Sequence, residues 1–491
     1  METAFIGRLK ELKLMSHYWQ SDKASLVVLY GRRRVGKTRL LTHWLQTEGA
    51  YGLYWMAEAI AEKAQLRSFS QELESFLEPD LVMSEDFTYP NWDYAFQKVA
   101  RVARDRRLVL FLDEVTYLID VNPDFVGTLQ KAWDQWLSKS NILLALCGSQ
   151  MGLMKKQLLA YDAPLYGRAT VQMKLEQLPY GVTSQYFPQY SPSDRVMLFG
   201  ALGGVPAYWE RLDLNLSLVE NIGLFLIPSN PWIMDESRLL LQDFFSEQLV
   251  YASIMRAIAN DAHTFSEIEQ WTGLSHGHVS RYLSLLRDTG FVERRTPLTQ
   301  ENNPDTRFGR YYVTDAYLRF FYRFLATHQT KLAMGQQQKT MQAIETGLAS
   351  FVASNTWPEL CQEWLLRASD NNELTLDVER TGREWKRSFT IDVVGINEKT
   401  KVMVIGACLW NDVPAEATLM RELVNRTKSV VPGPEWKVYY MGFTVAGWSE
   451  EAEAEIARLI KIGPTRSGYE VLGYRLLTLA EVDADLARWT L

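Results

Sequence analysis

Cysteine is scarce in this chain: three occur in 491 residues, Cys147, Cys361 and Cys408. They lie far apart and lack the paired spacing of a zinc site or a disulfide framework, so neither is expected and a reducing compartment suits the protein. No run approaches the ~18 consecutive apolar residues that a membrane span needs. The opening METAFIGRLKELK has no apolar stretch of signal-peptide length, so a cytoplasmic location and no membrane partner are the expectations. Positive charge is in short supply too. A formal net charge of -7 excludes a polycation that coats nucleic acid nonspecifically and confines any such contact to a local surface. No internal repeat or low-complexity tract occurs, which leaves ordinary packed domains.

What is present fits that class. Hydrophobic residues make up 47% and charged residues 23%, the mixture of a packed protein, and the length implies about three or four units. Four short apolar runs, LVVLYG (26–31), YGLYWMA (51–57), LVLFLDE (108–114) and NILLALCGS (141–149), have strand length. Segments of helical period such as KTRLLTHWLQTE and NWDYAFQKVARVARD separate them, giving an alternation of buried parallel strands and helices, and hence a three-layer α/β domain. From about 176 helical patterns dominate, with the turn GALGGVP (200–206) among them. In 251–330 two helical patterns precede LSHGHVSRYLSLLRDTG, where Val279, Leu283 and Leu286 share a face; FVERRTPL and RFGRYYVTD then read as strands, the outline of a winged helix. TKLAMGQQQKT (330–340) reads as a linker. ELTLDVER, RSFTIDVVGI, KVMVIGACLW and WKVYYMGFTV, with helices between, suggest a second, smaller α/β domain.

The strongest motif is Gly31-Arg32-Arg33-Arg34-Val35-Gly36-Lys37-Thr38, which fits G-x-x-x-x-G-K-[ST] between a strand and a helix that continues with Arg39. Glycines let backbone N–H groups curl around phosphates, the helix N-terminus adds its dipole, Lys37 supplies a cation and Thr38 a hydroxyl for Mg²⁺. Asp113 and Glu114 end an apolar strand. Asp113 is suited to hold Mg²⁺ through water and Glu114 to polarise the attacking water, although an acidic pair there also suits a helix cap. ATP and Mg²⁺ are therefore the expected ligands.

With these motifs the chain resembles the archaeal-type ATPases of the AAA+ and STAND assemblage. Phe5-Ile6-Gly7-Arg8 with Glu11, YGRRRVGKT, FLDE, CGSQ (147–150), PLYGRAT (164–170) and GGVPAY (203–208) carry the resemblance. The resemblance implies that Ser149 and Gln150 sit where the γ-phosphate is monitored, that Arg168 is a candidate arginine finger or sensor, and that Phe5 to Arg8 and the Gly204-Val205-Pro206 turn flank the base. It divides the chain into an ATPase domain (1–175), a helical lid (176–245), a winged helix-turn-helix (246–330) and a C-terminal domain (331–491) that looks like a PD-(D/E)xK nuclease. The expected activity is ATP hydrolysis that switches a conformation. An ATP-regulated nuclease, or a DNA-binding or scaffold protein that holds ATP without turnover, are the alternatives, and a protein partner or a second copy is compatible with each.

A DNA-reading winged helix would present His276, His278 and Arg281 from the helix and Arg294 and Arg295 from the wing to double-stranded DNA. Nine arginines against eight carboxylates in 251–330 temper this, and winged helices in ATPases also serve as internal packing modules. Leu283, Leu285 and Leu286 are expected in the core, and FFYRFL (320–325) as buried packing. In the tail, Glu359 or Glu363 could be the helix acid of a nuclease and Asp392 its strand aspartate. Ala407-Cys408-Leu409 stands where acid, any residue and lysine are needed, so catalysis is expected to be lost; Glu398, Lys399 and Lys401 lie at the wrong end of the strand to substitute.

Overall fold

The computed structural model describes residues 5–80, 82–226, 232–242, 244–245, 248–303 and 306–490. They form two compact units, one of residues up to 178 together with 205–210, the other of 179–204 and 211 onward.

Five strands carry the first unit: β1 (Ser25–Tyr30), β2 (Gly52–Met56), β3 (Leu108–Asp113), β4 (Ile142–Gly148) and β5 (Val171–Lys174), all parallel in the order β2-β3-β4-β1-β5. Successive side chains point to opposite faces. Leu26, Val28, Leu110, Leu112, Leu144 and Leu146 therefore fill one core, while Val27, Leu29, Val109, Phe111, Leu143 and Ala145 fill the other. Burial on both faces is why these strands read as unbroken apolar runs. Helix Trp92–Asp105 covers the first core: Asn91 caps it by accepting the Tyr94 N–H at 2.9 Å, and Trp92, Ala95, Phe96, Val99, Ala100 and Ala103 make the buried stripe. Helices Leu9–Gln20 and Lys37–Glu48 close the second core through Met15, Leu40, Leu41 and Trp44. Each large apolar side chain so buried contributes about 1.5–3 kcal/mol. The three-layer α/β fold is as expected, with β5 as a strand the apolar pattern does not reveal.

In the second unit, helices Gln248–Ala259, Phe265–Thr272 and His276–Asp288 precede the antiparallel hairpin of β6 (Val292–Arg295) and β7 (Arg310–Val313), which is a winged helix. Val279, Leu283 and Leu286 are buried as the period requires, but Leu285 is 36% exposed. Two residues beyond Leu283 is about 200° round the helix, which turns Leu285 away from the core. The FFYRFL segment is buried as expected, apart from Arg323, and winds as a π-turn. Residues 330–340 are not an open linker. Helix Gln329–Ala333 buries Leu332, and only residues 334–337 separate it from helix Gln338–Ser354. Of the boundary expected at 245–246, Phe245 is described and buried and residue 246 lies outside the described residues.

The C-terminal sheet contains β8 (Arg380–Trp385), β9 (Thr390–Asn397), β10 (Val402–Leu409), β11 (Lys437–Thr444) and β12 (Glu470–Thr478) in the order β12-β11-β10-β9-β8. Strands β10, β11 and β12 are parallel, and β9 runs antiparallel to both neighbours. ELTLDVER is not the strand it resembles, because its backbone is tied to the end of helix Thr356–Asp370. Glu373 N–H donates to the Ala368 carbonyl at 2.8 Å and Val378 N–H to Ser369 Oγ at 2.9 Å, so strand pairing begins only at Arg380. Among the described residues no helix is long and apolar enough to cross a membrane.

Candidate active site

The loop 31–36 leaves β1 at the carboxyl edge of the parallel sheet and turns into helix Lys37–Glu48, the position at which open α/β sheets bind ligands. Gly36 turns the chain with φ +94°, and at Gly31 a Cβ would lie 2.4 Å from the Leu175 carbonyl oxygen, so no side chain fits there. Lys37 is 6% exposed, and its ammonium donates to the carbonyls of Gly31 and Arg32 at 3.0 Å each. The loop is thus folded around a buried positive charge.

Two strand-end carboxylates face it. Asp113 is fully buried and accepts from the Thr38 hydroxyl at 2.6 Å and the Tyr54 hydroxyl at 2.7 Å, while its other oxygen takes the Glu114 N–H at 2.8 Å. Burial first and the Asp113 carboxylate second push the Tyr54 hydroxyl well above its usual range, so it remains a donor that orients Asp113. The same two causes raise the Cys147 thiol, which stays neutral inside the core. Glu114 accepts from Ser149 N–H at 3.2 Å and Oγ at 2.8 Å. Of six non-glycine residues with positive φ among those described, three sit here: Arg8, Arg34 and Glu114. Backbone strain of that kind persists where the surroundings over-determine a functional conformation.

The N-terminal segment joins the same place. Gly7 and Arg8 follow Ile6 in left-handed conformations. The Arg8 guanidinium donates to the carbonyls of Val35 at 2.9 Å and Glu176 at 2.6 Å and pairs with Glu11 at 3.2 Å. Phe5 stacks on the His43 ring with centroids 3.9 Å apart. Arg32 donates to the Tyr208 hydroxyl at 2.8 Å, Arg33 to the Tyr117 hydroxyl at 3.1 Å, Arg39 pairs with Glu210, and Pro206 packs against Gly36. Other residues do not converge so simply. Gln150 reaches Asp120 at 3.4 Å, and Arg168 is held by Asp134 through two 2.8 Å bonds. Arg168 would have to surrender that bidentate pair to meet a phosphate.

Residues 5–212, which hold every side chain just described, match the family described as an ATPase domain predominantly from Archaea. The N-terminal unit is an archaeal-type ATPase domain. Residues 252–294 match the arsR-family helix-turn-helix of bacterial regulatory proteins, and 321–421 match a family of archaeal and bacterial proteins of unknown function. An uncharacterized protein of Methanocaldococcus jannaschii is 26% identical over 447 residues, 89% of this chain and 94% of its own length. An uncharacterized ATP-binding protein of the same organism is 46% identical over 44 residues, 9% of this chain and 75% of its own length. Among solved structures, a Walker-type ATPase of Pyrococcus abyssi matches with TM-score 0.49 and 18% identity, covering 65% of this chain and 96% of that one. Cdc6p of Pyrobaculum aerophilum matches with TM-score 0.30 and 16% identity over 67% and 94%.

Beyond the archaeal-type ATPase domain, the candidate DNA-reading residues divide. His276 and His278 are exposed, His276 beside Glu269 at 3.0 Å, and Arg281 is exposed with its guanidinium 5.8 Å from the Tyr282 ring. Arg294 and Arg295 are turned inward instead. Arg294 donates to the Thr306 carbonyl at 2.6 Å, and Arg295 lies over the Tyr312 ring and pairs with Glu293 and, at 2.8 Å, with Glu359. A guanidinium finds more there in fixed carboxylates than on an open wing.

Glu359 is correspondingly not free to serve as a nuclease acid. It bridges Arg295 and Arg319, the latter through bonds of 2.8 and 3.0 Å. Burial alone would raise its pKa, but Arg319 and Arg295 outweigh it and hold the carboxyl well below the usual range. The stability this contributes is present above the unfolded pKa and is lost as pH falls through the folded one. Its side chain keeps 26% exposure. Glu359→Ala is therefore expected to cost about 2–3 kcal/mol, below the ~3–5 kcal/mol of a fully buried pair. Denaturant unfolding measures it, and a loss under about 0.5 kcal/mol would contradict the bridge. Glu363 pairs with Arg367 at 2.7 Å. Asp392 has its pKa raised by burial, against Arg383 and a hydrogen bond from the Cys408 backbone. Glu398 pairs with Arg380, Lys399 lies near Glu379 at 3.6 Å and Lys401 sits over Trp436. Lys401 lies beyond Asn397, five strand residues and so roughly 16 Å from Asp392. Among the described residues no group of three or more His, Cys, Asp or Glu is placed to hold a metal ion.

Proposed function

We propose that this chain binds ATP with Mg²⁺ at residues 31–38 and hydrolyses it to switch a conformation, in association with duplex DNA through its winged helix. The observation that carries the proposal is the buried Lys37 ammonium inside a glycine-bracketed loop at a helix N-terminus, next to the Thr38–Asp113 contact. An ammonium held by two neutral carbonyls gains when anionic phosphate oxygens replace them, because an attraction between opposite charges is then added to the hydrogen bonds in a pocket sheltered from water. The hard oxygens of Thr38 and Asp113, already 2.6 Å apart, fit Mg²⁺, with Tyr54 fixing the orientation of Asp113. Magnesium held there would supply positive charge against the negative charge that develops in phosphoryl transfer.

Glu114 orients and polarises the attacking water, and Ser149 sets which way its carboxylate points. Gly31 to Arg39 line the phosphates, and Phe5 to Arg8, Gln150 and Pro206 border the nucleotide. Arg168 is reserved for a state in which Asp134 has released it. In this reading the divisions at 175, 245 and 330 separate ATPase, lid, winged helix and tail. The tail is a nuclease-like fold without catalytic capacity, since Ala407 and Leu409 provide neither carboxylate nor ammonium. Calorimetry on the full chain tests the core of this: ATP with Mg²⁺ should give saturable one-site heat, weakened when the metal is chelated. Absence of heat with adenine nucleotides in magnesium would overturn it.

A further inference from the structure

A cleft of about 960 Å³ opens between the wing loop that follows β6 and the turn joining β8 to β9. Arg307, Arg310, Lys386 and Arg387 line it, and no acidic residue is among the described residues of its lining. The two walls are joined by contacts that leave those cations in place. Trp385, buried at the end of β8, donates its indole N–H to the Phe308 carbonyl at 3.0 Å, and the Arg310 guanidinium lies 5.0 Å from the Trp385 ring centre. Arg307, Lys386 and Arg387 are exposed at the rims, Lys386 donating to the Ser429 carbonyl, and the Phe308 ring is 41% exposed between them.

What distinguishes these four cations is that they gather around one concavity whose described lining holds no carboxylate; Glu384, buried behind it and hydrogen-bonded to Thr299, is the acid whose charge Lys386 meets. Elsewhere in the same unit many cations are ion-paired: Arg323 with Asp261, Arg380 with Glu301 and Glu398, Arg367 with Glu363, Arg421 with Glu455, Arg426 with Glu422. In a chain of net charge -7, four cations around one concavity concentrate positive potential there.

We propose that this cleft grips the phosphate backbone of a nucleic acid. The inference rests on the nucleic-acid association above but moves the phosphate grip from the inward-turned Arg294 and Arg295 to the wing loop and the C-terminal sheet. Phosphodiesters suit it better than an anionic membrane, which needs a flat or protruding surface, and the exposed Phe308 ring adds a face on which a base can stack. Arg281 and Arg287, exposed on helix His276–Asp288, belong to the same winged module.

Fluorescence anisotropy of the full chain, with a labelled duplex and the corresponding single strand, tests the assignment using Arg307→Gln/Lys386→Gln/Arg387→Gln. These side chains are exposed, so the melting temperature should be unchanged. Affinity for at least one probe should drop about 10- to 100-fold, and the slope of log K against log salt should shrink by about 2 to 3, near one unit per lost contact. Loss confined to the duplex identifies backbone tracking of double-stranded DNA; loss confined to the single strand identifies stacking on Phe308. Unchanged binding by the triple variant, with Arg281→Glu defective, overturns the cleft and leaves the winged-helix reading intact. No binding by the unaltered protein overturns both, and displacement of the probes by polyglutamate as readily as by unlabelled nucleic acid overturns the ligand class.

Discussion

Lys37→Ala should lower ATP affinity about 100-fold and reduce phosphate release to background. The ammonium now makes two 3.0 Å bonds to its own loop, and each charge-assisted bond it transfers to phosphate is worth about 1.5–3 kcal/mol. Alanine removes the donors and also leaves the Gly31 and Arg32 carbonyls facing the pocket, where they repel phosphate oxygens. Phosphate release at the unaltered rate, measured on purified variant and parent side by side, would remove Lys37 from the site.

Glu114→Gln should separate binding from chemistry. The amide preserves the shape of the side chain and can still accept from Ser149, so the affinity for ATP should stay within about twofold. It cannot polarise water as a carboxylate does, and hydrolysis should fall about 100-fold or more. Hydrolysis that survives the substitution would mean that another group activates the water. Unaltered cellular function without hydrolysis would favour a protein that uses ATP as a ligand only.

Much of this arrangement can be read in the chain because it is local. Strands β1, β3 and β4 are buried on both faces, and nothing but continuous apolar residues serves there, so their positions and the loop after β1 follow from the sequence. Strand β5 is four residues long, with Gln172 and Lys174 exposed, and carries no such signature. Strand β12 alternates around Gly473, where its register against β11 shifts, which blurs its period. The contacts that give the sites their character span long separations. Tyr54 meets Asp113 across 59 residues, and Arg295 meets Glu359 across 64. A tyrosine in the strand that pairs with the one ending in Asp113 is a usable hint for the first. For the second, an arginine in a wing suggests DNA until its carboxylate partner is seen.

The Glu359 bridge also sets a limit on redesign. Installing Ala407→Asp and Leu409→Lys would add, on the strand beside Asp392, the two groups that a PD-(D/E)xK site needs, yet the helix carboxylate that a metal centre would recruit already braces Arg295 and Arg319. Drawing it toward a cation would strip two guanidinium groups of their counter-charge and loosen the wing where it rests on the tail. In this scaffold, building a hydrolytic centre and keeping the hairpin anchored are competing uses of one side chain.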